Sequence, residues 1–239
     1  MNRTFVTLTL LLVACGSGEW TVTTWGEDYI EQGIPASEFA DGCSVTFDAF
    51  EVEILQAALV DGNDEVVADV PATAFDLTTA GPQTVGTVDA PARLFDTARF
   101  RIGPADGPSV RAAGQLTCAD ATVSFDWTFQ TDTTYDCEPD DLVVPSGGVA
   151  ETEFTIHGDH LFYDGLDNPD AELRGQAWID ADGNADGTLT LEELSAVSVA
   201  GLGYEVGPYS EVEDLAAFVT HLTRTVGHVN GEGHCRVDL

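Results

Sequence analysis

Alternation of apolar and polar residues is the feature that most constrains the fold of this chain. Every second residue is apolar from residue 123 to residue 129, and the same pattern occurs at residues 98–102. This period places apolar side chains on one face of a β-strand. A DGND turn at residues 61–64 predicts a hairpin, and a slip of phase at residues 47–50 predicts a bulge or a strand crossing. Residues 26–136 are therefore predicted to form an antiparallel β-sandwich.

The N-terminal residues have the pattern of an export signal. Arg3 precedes an apolar run at residues 5–13 that is too short to span a membrane as a permanent helix. The run ends in LVAC, which resembles the lipobox of bacterial lipoproteins. The resemblance implies a signal peptide at residues 1–14, a lipid on Cys15 and a tether at residues 15–25. The alternative is an ordinary secretory signal with an incidental cysteine.

The lipoprotein resemblance also implies a compartment. Gly16 follows the cysteine where an aspartate would favour the inner membrane, so the expected location is the outer membrane of a Gram-negative bacterium. The membrane is then reached through the lipid anchor, and no other segment has the length of a membrane span. The protein partner stays open.

Four cysteines remain after Cys15, which is an even number in an exported chain and predicts two disulfides. Four cysteines allow three connectivities. We favour Cys43–Cys118 and Cys137–Cys235, because each pair then closes one half of the chain.

The charge of the chain excludes some partners. The formal net charge is −34, and all eight cationic side chains are arginine. Such a surface repels nucleic acid and anionic lipid headgroups, so neither is an expected partner. Adaptation to salty surroundings explains this charge better than calcium binding does, so the acidity alone does not predict a calcium site.

The sequence after residue 136 changes character. An acidic turn at residues 137–141 and a PSGG sequence at residues 145–148 mark a predicted domain boundary. After one strand at residues 151–157 the periodicity becomes helical. An Asn-Pro pair at residues 168–169 predicts the start of one helix, and a final helix is predicted at residues 212–226. Residues 137–239 are therefore predicted to form a small α-rich module, which makes the whole chain α+β.

Within this module, residues 182–193 carry an ordered set of oxygen ligands. Gly187 occupies the sixth position, where the backbone turns through positive φ, and Leu189 is the apolar eighth residue. Thr190 and Glu193 also form a capping box that begins the next helix. The oxygen ligands at positions 1, 3, 5, 7, 9 and 12 are Asp182, Asn184, Asp186, Thr188 through its carbonyl, Thr190 and Glu193.

This set resembles the EF-hand calcium loop, so the module is predicted to contain one EF-hand-like helix–loop–helix. The sequence contains no second loop of similar quality, and Leu189 therefore lacks the usual pairing partner. A lone loop with three carboxylates implies a modest affinity for Ca²⁺, with a dissociation constant of about 10⁻⁵–10⁻³ M. We expect a structural ion rather than a signalling sensor. An acidic turn without a metal is the alternative.

All five histidines lie in the C-terminal third of the chain. If Cys137 pairs with Cys235, the segment that contains His228 and His234 is brought near the strand that precedes His157 and His160. Imidazoles in this number predict a possible Zn²⁺ or Cu²⁺ site, with Glu232 or Asp159 completing it. The alternative is that the histidines cap helices and bind neighbouring carboxylates.

The sequence lacks the usual motifs of enzymes, such as a nucleophile elbow, a HExxH helix or a phosphate-binding loop. The first hypothesis is therefore a non-enzymatic, lipid-anchored envelope protein that binds Ca²⁺ in a structural or binding role. The second is a transition-metal binding or delivery protein that uses the histidines. Outside the EF-hand loop, the chain is loosely similar to uncharacterised bacterial lipoproteins, and that similarity implies no activity.

Overall fold

A computed structural model describes residues 16–139 and 141–237 of the chain. The predicted signal peptide and the predicted lipid attachment site at Cys15 lie outside these residues. Two β-sheets form most of the fold, so the β-rich α+β class expected from the sequence is confirmed.

The smaller sheet has four strands in the order β11-β9-β1-β4. Strand β1 lies inside this sheet, antiparallel to β4 and parallel to β9. The bounds of its strands are β1 Ser17–Trp25, β4 Gln83–Pro91, β9 Val149–Ile156 and β11 Gly227–Val229.

The larger sheet contains eight strands. Seven follow the order β10-β7-β6-β2-β5-β8-β12, and β3 pairs with β2. The bounds of its strands are β2 Ser44–Val60, β3 Val66–Asp76, β5 Thr97–Ile102, β6 Val110–Cys118, β7 Ala121–Phe129, β8 Thr133–Cys137, β10 Thr188–Leu189 and β12 Cys235–Val237.

The alternating pattern has the predicted consequence for packing. Apolar residues of β5 and β7 are buried, whereas the residues between them are exposed or half-buried. The predicted hairpin joins β2 to β3, and the register of β2 with β6 shifts between Phe47 and Ala49, as the slip of phase indicated. The Phe100 ring of the larger sheet stacks on Phe154 of the smaller sheet at a centroid distance of 4.2 Å. The two sheets thus share one core.

Residues 17–25 form β1, although the sequence analysis assigned them to a tether. Trp20 and Val22 are fully buried, and the Trp20 indole donates a hydrogen bond of 2.9 Å to Thr152 Oγ1 on β9. This segment has the same alternation of buried and exposed residues as the other strands. Its position beside the apolar signal run had concealed that pattern.

The predicted boundary at residues 136/137 does not coincide with a division between the sheets. Strand β9 pairs with β1, and β12 pairs with β8, so strands that follow this boundary belong to both sheets. Within the described ranges there are four α-helices, all short: α1 Glu27–Glu31, α2 Gln176–Ile179, α3 Leu191–Ser195 and α4 Leu215–Leu222.

Helix α2 begins seven residues later than the Asn-Pro signal at residues 168–169 predicted. The Asn168 side chain accepts a hydrogen bond from the Asp170 backbone and forms a turn instead. Asp41, which lies far away in the sequence, accepts 2.8 Å hydrogen bonds from the first backbone N–H groups at Gly175 and Gln176. A tertiary contact therefore caps this helix, and a local pattern cannot reveal it.

Both predicted disulfides are present. Cys43 pairs with Cys118 across 75 residues, and Cys137 pairs with Cys235 across 98 residues. The second bond joins β8 to β12 at the register position where these strands pair. It fixes the end of the segment that carries His228 and His234.

Candidate metal centres

The EF-hand-like loop at residues 182–193 lies between α2 and α3. Its backbone N–H groups donate hydrogen bonds to side chains of the loop itself. The Asp182 carboxylate accepts hydrogen bonds from the backbone of Asp186 and Gly187, at 3.3 and 2.9 Å. Asp186 in turn accepts one of 2.8 Å from the backbone of Thr188. Gly187 has φ +79°, the left-handed conformation that the sixth loop position requires.

The end of the loop forms the predicted capping box. Glu193 N donates to Thr190 Oγ1 at 3.2 Å, and Thr190 N donates to Glu193 Oε2 at 3.0 Å. The second carboxylate oxygen, Glu193 Oε1, is buried and has no hydrogen-bond partner in the described part of the chain. A buried anionic oxygen without a partner costs free energy, and a cation would satisfy it.

The loop pairs with the larger sheet, where an EF-hand loop usually pairs with a second EF-hand loop. Strand β10 pairs in parallel with β7, with Leu189 opposite Phe125. The Trp127 indole N–H donates a hydrogen bond of 2.9 Å to the Leu189 carbonyl. The loop therefore has a pairing partner that the sequence analysis did not find, because that partner is the edge of a β-sheet.

The loop carboxylates do not meet at one point in this structure. Among residues 16–139 and 141–237, groups of three potential ligands with atoms within 4.8 Å of one another occur elsewhere, and none includes a loop residue. Both groups of this kind contain His157.

Three of the four predicted histidine ligands come together. His157 directly follows β9, His160 lies in a short 3₁₀ turn at Asp159–Phe162, and His228 lies on β11, which pairs with β9. The ring centroid of His157 is 4.3 Å from that of His228 and 5.4 Å from that of His160. One nitrogen from each ring lies within 4.8 Å of the other two.

These nitrogens have the chemistry of a metal site. His157 is 6% exposed, and its Nε2 atom and the Nδ1 atom of His228 are buried without a hydrogen-bond partner among the described residues. Two ligand atoms at about 2.1 Å from a tetrahedral Zn²⁺ lie about 3.4 Å apart. The three nitrogens must therefore approach one another to bind one ion of this geometry.

Hydrogen bonding selects the tautomer of His160. Thr225 Oγ1 donates its hydrogen to the Leu222 carbonyl at 2.9 Å, so it is an acceptor toward His160 Nδ1, which is 3.1 Å away. Nδ1 therefore carries the proton, and Nε2 keeps the free lone pair that binds a metal. This arrangement is the usual way in which a second contact orients a histidine ligand.

Electrostatics also favour neutral imidazoles in this cluster. Burial, together with the neighbouring His157, lowers the pKa of His160 to about 3. Burial, together with His157 and His160, likewise lowers the pKa of His228 to about 3. Both rings are therefore neutral near pH 7 and offer lone pairs to a cation.

A second group of potential ligands shares His157 and adds two carboxylates. Glu27, His157 and Glu232 place one ligand atom each within 4.8 Å of the others. Asp159 is 6% exposed, and its Oδ1 atom lies 3.9 Å from His157 Nδ1. Burial raises the pKa of Glu27, His157 opposes this effect, and Glu232 adds to it. Glu232 and Asp159 were predicted as ligands from the sequence, whereas Glu27, which lies 130 residues before His157, was not.

The other histidines lie apart from this cluster. His234 is exposed, and its ring centroid is 6.4 Å from that of His228. It does not belong to the group of three. His221 packs against Tyr209 with the two rings tilted and a centroid distance of 4.0 Å. His234 nevertheless lines a cleft beside these histidines. The cleft has a volume of about 640 Å³ and is also lined by His160, Tyr163, His228 and Glu232.

No helix in the described ranges has the length and apolar character needed to cross a membrane. Comparisons with protein-family models, with curated proteins and with solved structures find no match to this chain.

Proposed function

We propose that this protein binds a transition-metal ion, Zn²⁺ or Cu²⁺, through His157, His160 and His228. The observation that supports the proposal is the convergence of three imidazoles whose buried nitrogens include two without partners. Unpaired buried nitrogens cost free energy, and metal coordination removes that cost. Neutral imidazole is a common ligand of both ions.

The site opens into the cleft at His160 and His228, so an ion can enter and leave without unfolding of the core. A binding or delivery role fits this accessibility, and we assign the protein no catalytic activity. With the export signal expected from the sequence, the proposed place of this role is the cell envelope, where Cys15 would anchor the chain by its lipid.

The histidine ligands are tested by substitution. We expect His228→Ala to lower the affinity for Zn²⁺ by more than about 100-fold, because it removes a direct ligand and the loss of an outer contact alone costs about 10–100-fold. Competition with a chromophoric chelator measures the affinity, and mass spectrometry measures the metal content of the purified protein. His234→Ala is the matched control, because this exposed ring lies outside the group.

Wild-type affinity in His228→Ala and in His157→Ala would exclude this site. Equal losses in His228→Ala and His234→Ala would show that metal binds to surface histidines rather than to the buried cluster.

A second function, calcium binding, has its own support. We propose that the α-rich part carries an EF-hand-like unit formed by α2, the loop at residues 182–193 and α3. Gly187 has the required left-handed backbone, and Glu193 Oε1 is buried without a partner in the described ranges. A Ca²⁺ ion would draw the loop carboxylates together and hold β10 against β7. Its role would be structural.

The calcium site predicts a stability change. At a concentration 100-fold above its dissociation constant, Ca²⁺ stabilises the folded state by about 2.7 kcal/mol, which corresponds to about 5–10 °C in melting temperature. We expect Glu193→Gln to remove most of this gain, since glutamine keeps the capping box but loses the charged ligand. Glu192→Gln is the matched control on the exposed side of the same helix turn. Identical melting curves of the wild type with and without chelator would contradict the proposal.

A further inference from the structure

We propose that the Glu27 carboxylate is a fourth protein ligand of the histidine metal site, with Glu232 beside it as a second oxygen donor. The site would then take a divalent ion that accepts both nitrogen and oxygen ligands, of which Zn²⁺ is the best match. This inference rests on the proposed transition-metal function and names its ligand set and metal class.

His157 belongs to both ligand groups, which in the described ranges do not merge into one group within 4.8 Å, so an ion shared by both requires side-chain movement. Glu27 Oε2 lies 3.8 Å from His157 Nε2, which is beyond the reach of a hydrogen bond. The same nitrogen is buried and unpaired among the described residues, and His157 is 94% buried. A carboxylate and an imidazole that face each other at this separation, without a hydrogen bond, leave space for one shared ion.

The backbone holds Glu27 in a strained conformation. Glu27 follows β1 and begins α1, and its φ is +55°, in the left-handed region that non-glycine residues rarely adopt. Such strain persists where the surrounding structure imposes it and is typical of functional sites. In this conformation the Glu27 carboxylate lies next to His157, although the two residues are far apart in the sequence.

Glu232 is positioned by the loop between β11 and β12. The Asn230 side chain accepts a hydrogen bond from Glu153 N at 3.1 Å, and Thr155 Oγ1 donates one of 2.7 Å to the Gly231 carbonyl. Both contacts tie the loop to β9, the strand that His157 directly follows. The site therefore joins three segments that are far apart in the sequence.

The local charge also requires a cation. The carboxylates of Glu27, Asp159 and Glu232 lie around the His157 ring, and within the described ranges none of them forms an ion pair with an arginine. A divalent ion bound between these carboxylates would offset their mutual repulsion. Carboxylate ligands favour borderline and hard divalent ions over soft Cu⁺, which prefers thiolate and thioether sulfur.

The test uses the full mature protein, with Zn²⁺ for affinity and Co²⁺ as a spectroscopic probe of the ligand set. We expect Glu27→Gln to lower the affinity for Zn²⁺ by more than about 100-fold, above the 10–100-fold expected for an outer contact. The visible d–d bands of bound Co²⁺ should also change. Asp28→Asn is the matched control, because it removes the same charge from the exposed neighbouring position of α1.

Glu27→Gly separates ligand loss from misfolding. Glycine adopts positive φ without strain, so the metal-free variant should melt at the wild-type temperature or above it, while its affinity for Zn²⁺ falls as in Glu27→Gln. Wild-type affinity and Co²⁺ spectrum in both Glu27 variants would overturn this inference and leave the histidine site intact. Absence of Zn²⁺ binding in the wild type would overturn both.

Discussion

Replacement of Trp127 by alanine is expected to lower the free energy of unfolding by about 4 kcal/mol, within the range for loss of a large buried aromatic side chain. Trp127 is fully buried and stacks on Phe125 at a ring-centroid distance of 4.5 Å. Its ring centroid lies 5.9 Å from that of Trp178. Its indole also donates the hydrogen bond that holds the Leu189 carbonyl. The substitution therefore creates a cavity and releases β10 from the sheet edge.

Urea denaturation measures this effect as a lower midpoint at an unchanged slope. Trp127→Phe separates the two contributions, because it keeps most of the ring volume and removes only the N–H donor; we expect it to cost about 1–3 kcal/mol. Thr128→Ala, at the next and exposed position of β7, should change stability by less than about 0.5 kcal/mol. A loss below about 1 kcal/mol in Trp127→Ala would show that this packing contributes little to stability.

Trp127 also shows what the sequence reveals about the fold. Alternation correctly predicts that its side chain enters the core, because a period of two residues is set by the backbone of its own strand. Other local patterns predict the hairpin at residues 61–64, from its turn residues, and the bulge near Phe47, from the slip of the alternation. Which strand becomes the neighbour of β7 is decided by contacts distant in sequence. Thus the pairing of Leu189 with Phe125 was not predicted.

The candidate site likewise contains residues that were predicted from the sequence and a residue that was not. His157, His160 and His228 were predicted because histidine is rare, clustered and chemically distinctive in this chain. Glu27 was missed because it is one of 42 acidic residues and precedes the histidines by 130 positions. Its Oε2 atom lies 3.8 Å from the buried, unpaired Nε2 of His157, and only the folded structure shows that proximity. His234 has the right residue type but lies on the exposed side of its loop.

Loss of the disulfide between Cys137 and Cys235, by replacement of both cysteines with alanine, is expected to reduce stability by about 4.7 kcal/mol in the chain-entropy model, given its span of 98 residues. Loss of the Cys43–Cys118 bond, with a span of 75 residues, should cost about 4.5 kcal/mol. These two variants are therefore matched in their effect on the unfolded chain, and denaturant titration of each tests that match.

They should differ in metal binding. The Cys137–Cys235 bond fixes β12 to β8 and so closes the segment that carries His228 and Glu232. By contrast, Cys43 directly precedes β2, and Cys118 ends β6. We expect the affinity for Zn²⁺ to fall about 10-fold or more only in the Cys137→Ala, Cys235→Ala variant, because its loop must be ordered when the ion binds. Chelator competition on both variants, at a temperature where each is folded, measures this difference. Equal affinities would show that β11 and the hydrogen bonds to β9 hold the ligands without help from the disulfide.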